Sequence, residues 1–183
     1  MRNFLIVIFA LAVTGLQAQC HKSSSNARNV SYTYQTNDIV DIAASSDDFS
    51  TLVAAVKAAD LVETLKSDGP FTVFAPTNAA FDKLPDGTVA SLLEPNNKKT
   101  LVSILTYHVI SGEFGAADIV NAIKLGGGTA TLKTVQGGKL LAKMSSNNVI
   151  LVDEKGGKSI IAKTDLEASN GYIHVIDTVV LPE

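Results

Sequence analysis

The stretch from Phe71 to Phe81 (Phe-Thr-Val-Phe-Ala-Pro-Thr-Asn-Ala-Ala-Phe) constrains the fold of this chain more than any other. Its first half is aromatic and β-branched, which suits a half-buried strand. Pro76 has no N–H to donate to a ladder, so the strand ends there. Thr77 or Asn78 can then cap a short helix, because a side-chain oxygen satisfies an orphan N–H of the first turn. Ala79, Ala80 and Phe81 fall in that turn, and Lys83-Leu84-Pro85-Asp86-Gly87 closes it with turn chemistry. Three of the seven Phe residues flank this strand-to-helix corner, which reads as structural.

The segments on either side of the corner differ in period. From Asp38 to Ser67 the pattern is helical: Asp38–Ala44 forms one short helix, and Ser45-Ser46-Asp47-Asp48 breaks it and caps the next. Phe49, Leu52, Val53 and Val56 follow at i, i+3, i+4 and i+7. Asp60 is expected to cap a further turn carrying Leu61, Val62 and Leu65. After Gly87, Val89, Leu92 and Leu93 and then Leu101, Ile104 and Leu105 repeat the helical spacing. Tyr107-His108-Val109-Ile110 changes to strand composition, and a short helix follows at Ala116–Ala122. From Leu125 onward, Gly126-Gly127-Gly128, Gly137-Gly138, Asn147-Asn148 and Gly156-Gly157 recur about every ten residues, the punctuation of a β-meander. The strands expected between them are Thr129–Thr134, Leu140–Lys143, Val149–Val152 and Ile160–Lys163, with Tyr172–Ile176 last. Helices followed by antiparallel strands define an α+β domain.

The domain does not occupy the whole chain. Arg2 followed by the apolar run Phe4–Val13 and by small residues up to Ala18 has the form of a secretory signal peptide over residues 1–18, too short for a permanent span. Residues 19–35 form a polar, Ser-rich tether, in which Asn29-Val30-Ser31 matches a glycosylation sequon, and the folded domain is expected over 36–183. Cys20 is the one cysteine, which excludes an internal disulfide. Two processing routes fit its position: lipidation of Cys20 at a new N-terminus, as in a bacterial lipoprotein, or cleavage after Ala18 that leaves a free thiol. Gln17 and Gln19 depart from the usual lipidation motif, which prefers an aliphatic and a small residue there. Removal of residues 1–18 leaves 14 basic and 18 acidic residues, a net charge of −4.

Charge is unevenly distributed. Residues 37–96 hold ten acids against Lys57, Lys66 and Lys83, whereas residues 124–163 hold seven lysines against Asp153 and Glu154. The lysines read first as protection of exposed strand edges, and second as a face for a polyanion or small ligand. No aromatic or Arg clusters accompany them, so nucleic acid is not an expected partner. Three histidines (21, 108 and 174) with one cysteine supply no metal-binding spacing, and no P-loop, nucleophile elbow or dinucleotide fingerprint occurs. The pairs His108 with Ser111 and His174 with Asp177 are the best catalytic candidates, the alternative of a secreted hydrolase. Nothing supplies both nucleophile and oxyanion site, so packed, hydrogen-bonded histidines are the expected reading. No catalytic residue, cofactor or metal is expected.

Phe71–Phe81 resembles the first signature block of the fasciclin domain, and Ser169–Pro182 (Ser-Asn-Gly-Tyr-Ile-His-Val-Ile-Asp-Thr-Val-Val-Leu-Pro) resembles the second. Between them Tyr107-His108 is similar to the family's Tyr-His motif, flanked by Leu101, Ile104, Leu105, Val109 and Ile110. The resemblance extends over about residues 36–183. It implies a β-wedge of two sheets with a cluster of N-terminal helices, and an exported adhesion or matrix-interaction module without catalytic activity. It also implies that Tyr107 and His108, with Asp165 and Leu166 in place of the family's Asp-Ile pair, lie where animal matrix members engage integrins. For this chain a cell-surface or matrix protein or a glycan is the expected partner, with membrane contact only through a lipid on Cys20. Read from the residues alone, Tyr107 and His108 lock a helix–strand junction, and Asp165 is a solvated loop acid.

Overall fold

The computed structural model describes residues 37–182 apart from Asp68, Asp86 and Asn147. The expected signal peptide, the tether and Cys20 lie outside the described residues. The described residues form one compact unit.

Among the described residues seven short α-helices, two 3-10 turns (Asp47–Phe49 and Pro95–Asn97) and seven strands follow in chain order. The helical part comprises α1 (Ile39–Ala44), α2 (Ser50–Ala58) and α3 (Val62–Leu65). Strand β1 (Phe71–Pro76) leads to α4 (Asn78–Phe81), α5 (Thr88–Leu92) and α6 (Lys98–Tyr107), and then β2 (Val109–Ser111) and α7 (Ala116–Leu125). The meander is β3 (Thr129–Lys133), β4 (Lys139–Ser145), β5 (Asn148–Val152), β6 (Lys158–Ala168) and β7 (Gly171–Ile176). Thr77 caps α4 as expected, accepting the Ala80 N–H, and Asp38, read as the first helical residue, instead caps α1 by accepting the Asp41 N–H. The Ser45–Asp48 segment breaks the chain but supplies no side-chain cap, because a 3-10 turn over Asp47–Phe49 leads into α2 and Phe49 takes its N-cap position. Asp60 departs from expectation. Its backbone is left-handed (φ 56°), it caps no helix, and its carboxylate pairs instead with Lys98.

The strands form one hydrogen-bonded series in the order β2-β1-β7-β6-β5-β4-β3. The expectation of an antiparallel sheet holds from β3 to β7 and fails between the second and third strands of the series, where β1 and β7 pair in parallel from Phe71↔Gly171 to Pro76↔Ile176. The two sequence blocks that carry the family resemblance are therefore hydrogen-bonded neighbours. That contact is intimate at Gly171 (φ 148°), where a Cβ would stand 1.8 Å from the Phe71 carbonyl oxygen. Strand β6 changes partners along its length: Lys158–Ile160 pair with β5, whereas Ile161–Ala168 pair with β7 through register shifts on both sides of Lys163.

Alternation along β1 separates two cores. Val73 and Ala75 face a cluster with Ile39, Leu52, Val56, Leu101, Leu105 and Ile173 under the helices. Phe74 faces a second cluster in which Ile119 and Ile123 of α7 cover Leu132, Leu140, Ala142 and Leu151 of the meander. Tyr107 ends α6 rather than starting a strand, and the strand is confined to Val109–Ser111. Leu101, Ile104 and Leu105 face the core under the helices, whereas Tyr107 at the end of α6 turns into the meander core, and its burial there outweighs its strand propensity.

Candidate functional site

The two residue pairs singled out by the sequence occupy different places around the β1–β7 pairing. Tyr107 is fully buried, and its hydroxyl donates to the Lys139 carbonyl (2.7 Å) and accepts the Glu154 N–H (3.3 Å), tying α6 to the meander. His108 is 2% exposed. Its Nδ1–H donates to the Ile104 carbonyl (2.7 Å) and its Nε2 accepts the Val180 N–H (3.3 Å), which fixes the tautomer. Burial holds the imidazole neutral and pushes its pKa down to about 4, against the opposing pull of the Ile104 carbonyl and the Asp153 carboxylate.

Asp153 is the residue that sequence reading passed over here. It is buried, yet it is saturated by backbone donors: Oδ1 accepts Lys155 and Gly157 N–H, and Oδ2 accepts Leu181 N–H (3.0 Å). His108 and Asp153 thus pin consecutive residues of the C-terminal segment onto the domain. The signal was available in sequence, because an Asp three residues ahead of Gly156-Gly157 is a turn-former that bonds its own loop.

Asp165 and Leu166 lie in the irregular part of β6. Asp165 is exposed with a left-handed backbone (φ 57°), and its Oδ1 accepts the Ala116 N–H (2.7 Å) at the start of α7. Its own N–H donates to Nδ1 of the buried His174 (3.3 Å), whose Nε2–H donates to the Phe114 carbonyl (2.8 Å). Leu166 pairs with Ile173 and packs on the helical core. Asp165 and His174 therefore set the position of α7 against the sheet. The Tyr107-His108 and Asp165-Leu166 pairs are not brought into one surface patch: of the four side chains only Asp165 is exposed.

Neither histidine meets the partner that hydrolase chemistry would need. Both ring nitrogens of each are engaged on backbone groups, and Asp177 binds Lys83, the Ile160 N–H and Thr178. Among the described residues no cluster of three His, Cys, Asp or Glu side chains could hold a metal ion. The apolar space beneath the helices, between Ile39, Val56, Leu65 and Val73, amounts to about 50 Å³. That is small beside the cavity of about 150 Å³ that admits benzene, so it reads as packing slack.

The sequence-block asparagines prove to be structural. Asn78 accepts the Thr51 N–H and donates to the Asp47 carbonyl, fastening α4 to the start of α2. Asn170 accepts the Ile39 N–H and donates to the Leu65 carbonyl (2.7 Å), fastening α1 and α3 to the β6–β7 turn.

With this geometry in view, the likeness to known proteins is specific. The Fasciclin domain family model matches residues 47–182, and the chain belongs to the fasciclin-domain family. It is 52% identical over 144 residues to protein sll1483 of Synechocystis, covering 79% of this chain and 73% of that one. It is 40% identical to the transforming growth factor-beta-induced protein ig-h3 of Sus scrofa, of which it spans 19%. Among solved structures it matches a FAS1 domain pair from the insect cell adhesion molecule Fasciclin I, with TM-score 0.70 and 20% identity. The match covers 79% of this chain and about half (51%) of that domain pair, a likeness of fold.

Proposed function

We propose that this protein is an exported, non-enzymatic adhesion or surface-interaction module of the bacterial cell envelope. Membership of the fasciclin family over nearly the whole described domain is the observation that carries this reading. Full engagement of both buried histidines on backbone groups favours it over catalysis. Tyr107 and His108 contribute to binding through the surface they hold in shape, because neither side chain can reach a partner while the α6–β2 junction stays folded. Asp165 is the member of the four that can touch a partner directly. Attachment through a lipid on Cys20, or release after cleavage behind Ala18, sets whether the module acts on its own cell or at a distance.

Saturable binding of the purified, labelled protein to intact bacteria or envelope fractions is the test. Binding that saturates and is competed by unlabelled protein supports the reading. Linear, non-competable uptake on every surface tried overturns it.

A further inference from the structure

The meander has a second face. Ala130, Leu132, Leu140, Ala142, Val149 and Leu151 point inward to α7, so the alternate residues face away from that core. The pairing register places Thr129, Lys143, Ile150 and Ile160 side by side across β3–β6. The next row is Thr131, Leu141, Val152 and Lys158, and Lys133 stands opposite Lys139 beyond it. The result is an aliphatic centre of Leu141, Ile150, Val152 and Ile160 with lysines at its margins and Ile160 41% exposed. The outward positions of β3–β5 and of the Lys158–Ile160 stretch of β6 hold no acid, and Asp165 and Glu167 lie farther along β6, where it pairs with β7.

Folding does not account for this arrangement. Lys133 and Lys139 are like charges at directly opposed positions, a destabilising cross-strand pair. Ion pairs among the described residues involve Lys66, Lys83 and Lys98, none of them on this face. Glu154, the acid that reaches its margin, is engaged by the Lys139 backbone N–H. The acid-rich helices pack at the other end of the strand order, against β7, β1 and β2.

We infer that the outward face of β3–β6 is a docking surface for an anionic lipid bilayer. Charge complementarity sets the sign of the partner, and the type of cation narrows it. Lysines are point charges on flexible stems, suited to a mobile field of headgroup phosphates, whereas fixed bidentate recognition calls for arginine. The centre is aliphatic, without the aromatic rings on which a sugar would stack, and lysine stems lying over aliphatic groups suit a headgroup boundary. A second copy presenting the same face would set lysine against lysine. Four lysines give weak, reversible attachment, the kind that works beside a second anchor. The proposal does not depend on the adhesion reading.

Cosedimentation of the exported protein with vesicles tests it, using phosphatidylcholine with one-third phosphatidylglycerol against phosphatidylcholine alone. Binding is expected to the anionic vesicles in low salt, with release in high salt and none to neutral vesicles. Replacing Lys133, Lys139, Lys143 and Lys158 by Gln together should weaken binding about 10²- to 10³-fold, about fivefold for each lysine. Lys57→Gln with Lys99→Gln, on the helical side, should change it less than about twofold on the same scale. Circular dichroism confirms that the variants are folded. Equal binding to both vesicle types, or full binding by the quadruple variant, overturns the proposal. So does capture by dextran sulfate without vesicle binding, which would mean a polyanion site, or concentration-dependent self-association abolished by the same four substitutions, which would mean a contact between copies.

Discussion

The helical side of β1 and the meander side bury similar aliphatic residues, but they are held together in different ways. The meander is regular: each strand pairs with its sequence neighbour, burial alternates with period two, and one helix of ten residues covers the inner face. The helical side is built from pieces of four to ten residues, mostly too short to persist alone in water. Their order comes from side-chain bonds that span long stretches of chain, from Asn78 to residues 47 and 51 and from Asn170 to residues 39 and 65. One half is specified by repetition of local pairing, the other by a few polar ties to a sheet that must already exist.

Where the halves meet, disruption should be worst. Gly171→Ala drives a Cβ into the Phe71 carbonyl and separates β1 from β7, so both halves lose their common wall. A loss of about 4 kcal/mol or more is expected, read by urea unfolding or as failure to accumulate folded protein. Leu140→Ala, in the fully buried meander core, should cost about 3 to 4 kcal/mol and leave a cooperative transition, because regular strands tolerate a void without changing partners.

Acid separates the halves by a different route. His108 has a folded pKa near 4, below its unfolded value near 6.5, so the folded state prefers the neutral ring. The stability it protects is fully present above pH 6.5 and is lost as pH falls toward 4, by about 3 kcal/mol in all. A protonated ring would also set Nε2–H against the Val180 N–H. Melting temperature against pH should therefore fall across this window, and His108→Gln should flatten it. Asp177 acts lower on the scale. Burial works to raise its pKa, but the Ile160 N–H and Lys83 outweigh burial and leave it lowered, so its contribution is lost only as pH drops below the usual carboxylate range.

Asn170→Ala sharpens the contrast, since it orphans the Ile39 N–H and the Leu65 carbonyl while touching nothing in β3–β5. About 2 kcal/mol is the expected cost, with hydrogen-exchange protection falling in α1 and α3 and retained in the meander. Uniform loss across both halves would show that they unfold as one unit. Smallest of all is Ile150→Thr on the outward face, within about 0.5 kcal/mol by denaturation, because that side chain supports no core.

Much of this was legible in the chain. The Gly and Asn punctuation gave the meander strands to within a few residues, since a two-residue alternation is a local property. The Pro76 stop and the Thr77 cap were equally local, whereas Asp38, read as the first residue of α1, proved to be its cap. The ladder ends were longer than composition suggested, most of all in β6, whose run to Ala168 depends on changing partners from β5 to β7. Asp60 failed as a cap because Lys98 and a left-handed turn offered its carboxylate another place. Tyr107 looked like a strand residue and became the end of a helix because its ring fills the gap between α6 and the meander.

The sequence by itself determined the order of helices and strands, the two charge regions and the family blocks, because each is written in near neighbours along the chain. Tertiary structure alone decided that the two blocks pair in parallel, that His108 and Asp153 hold the same C-terminal segment, and that four lysines share one outward face. The first two join residues 28 to 100 positions apart and the lysine face depends on strand register, and no local periodicity encodes which distant backbone group a side chain will meet.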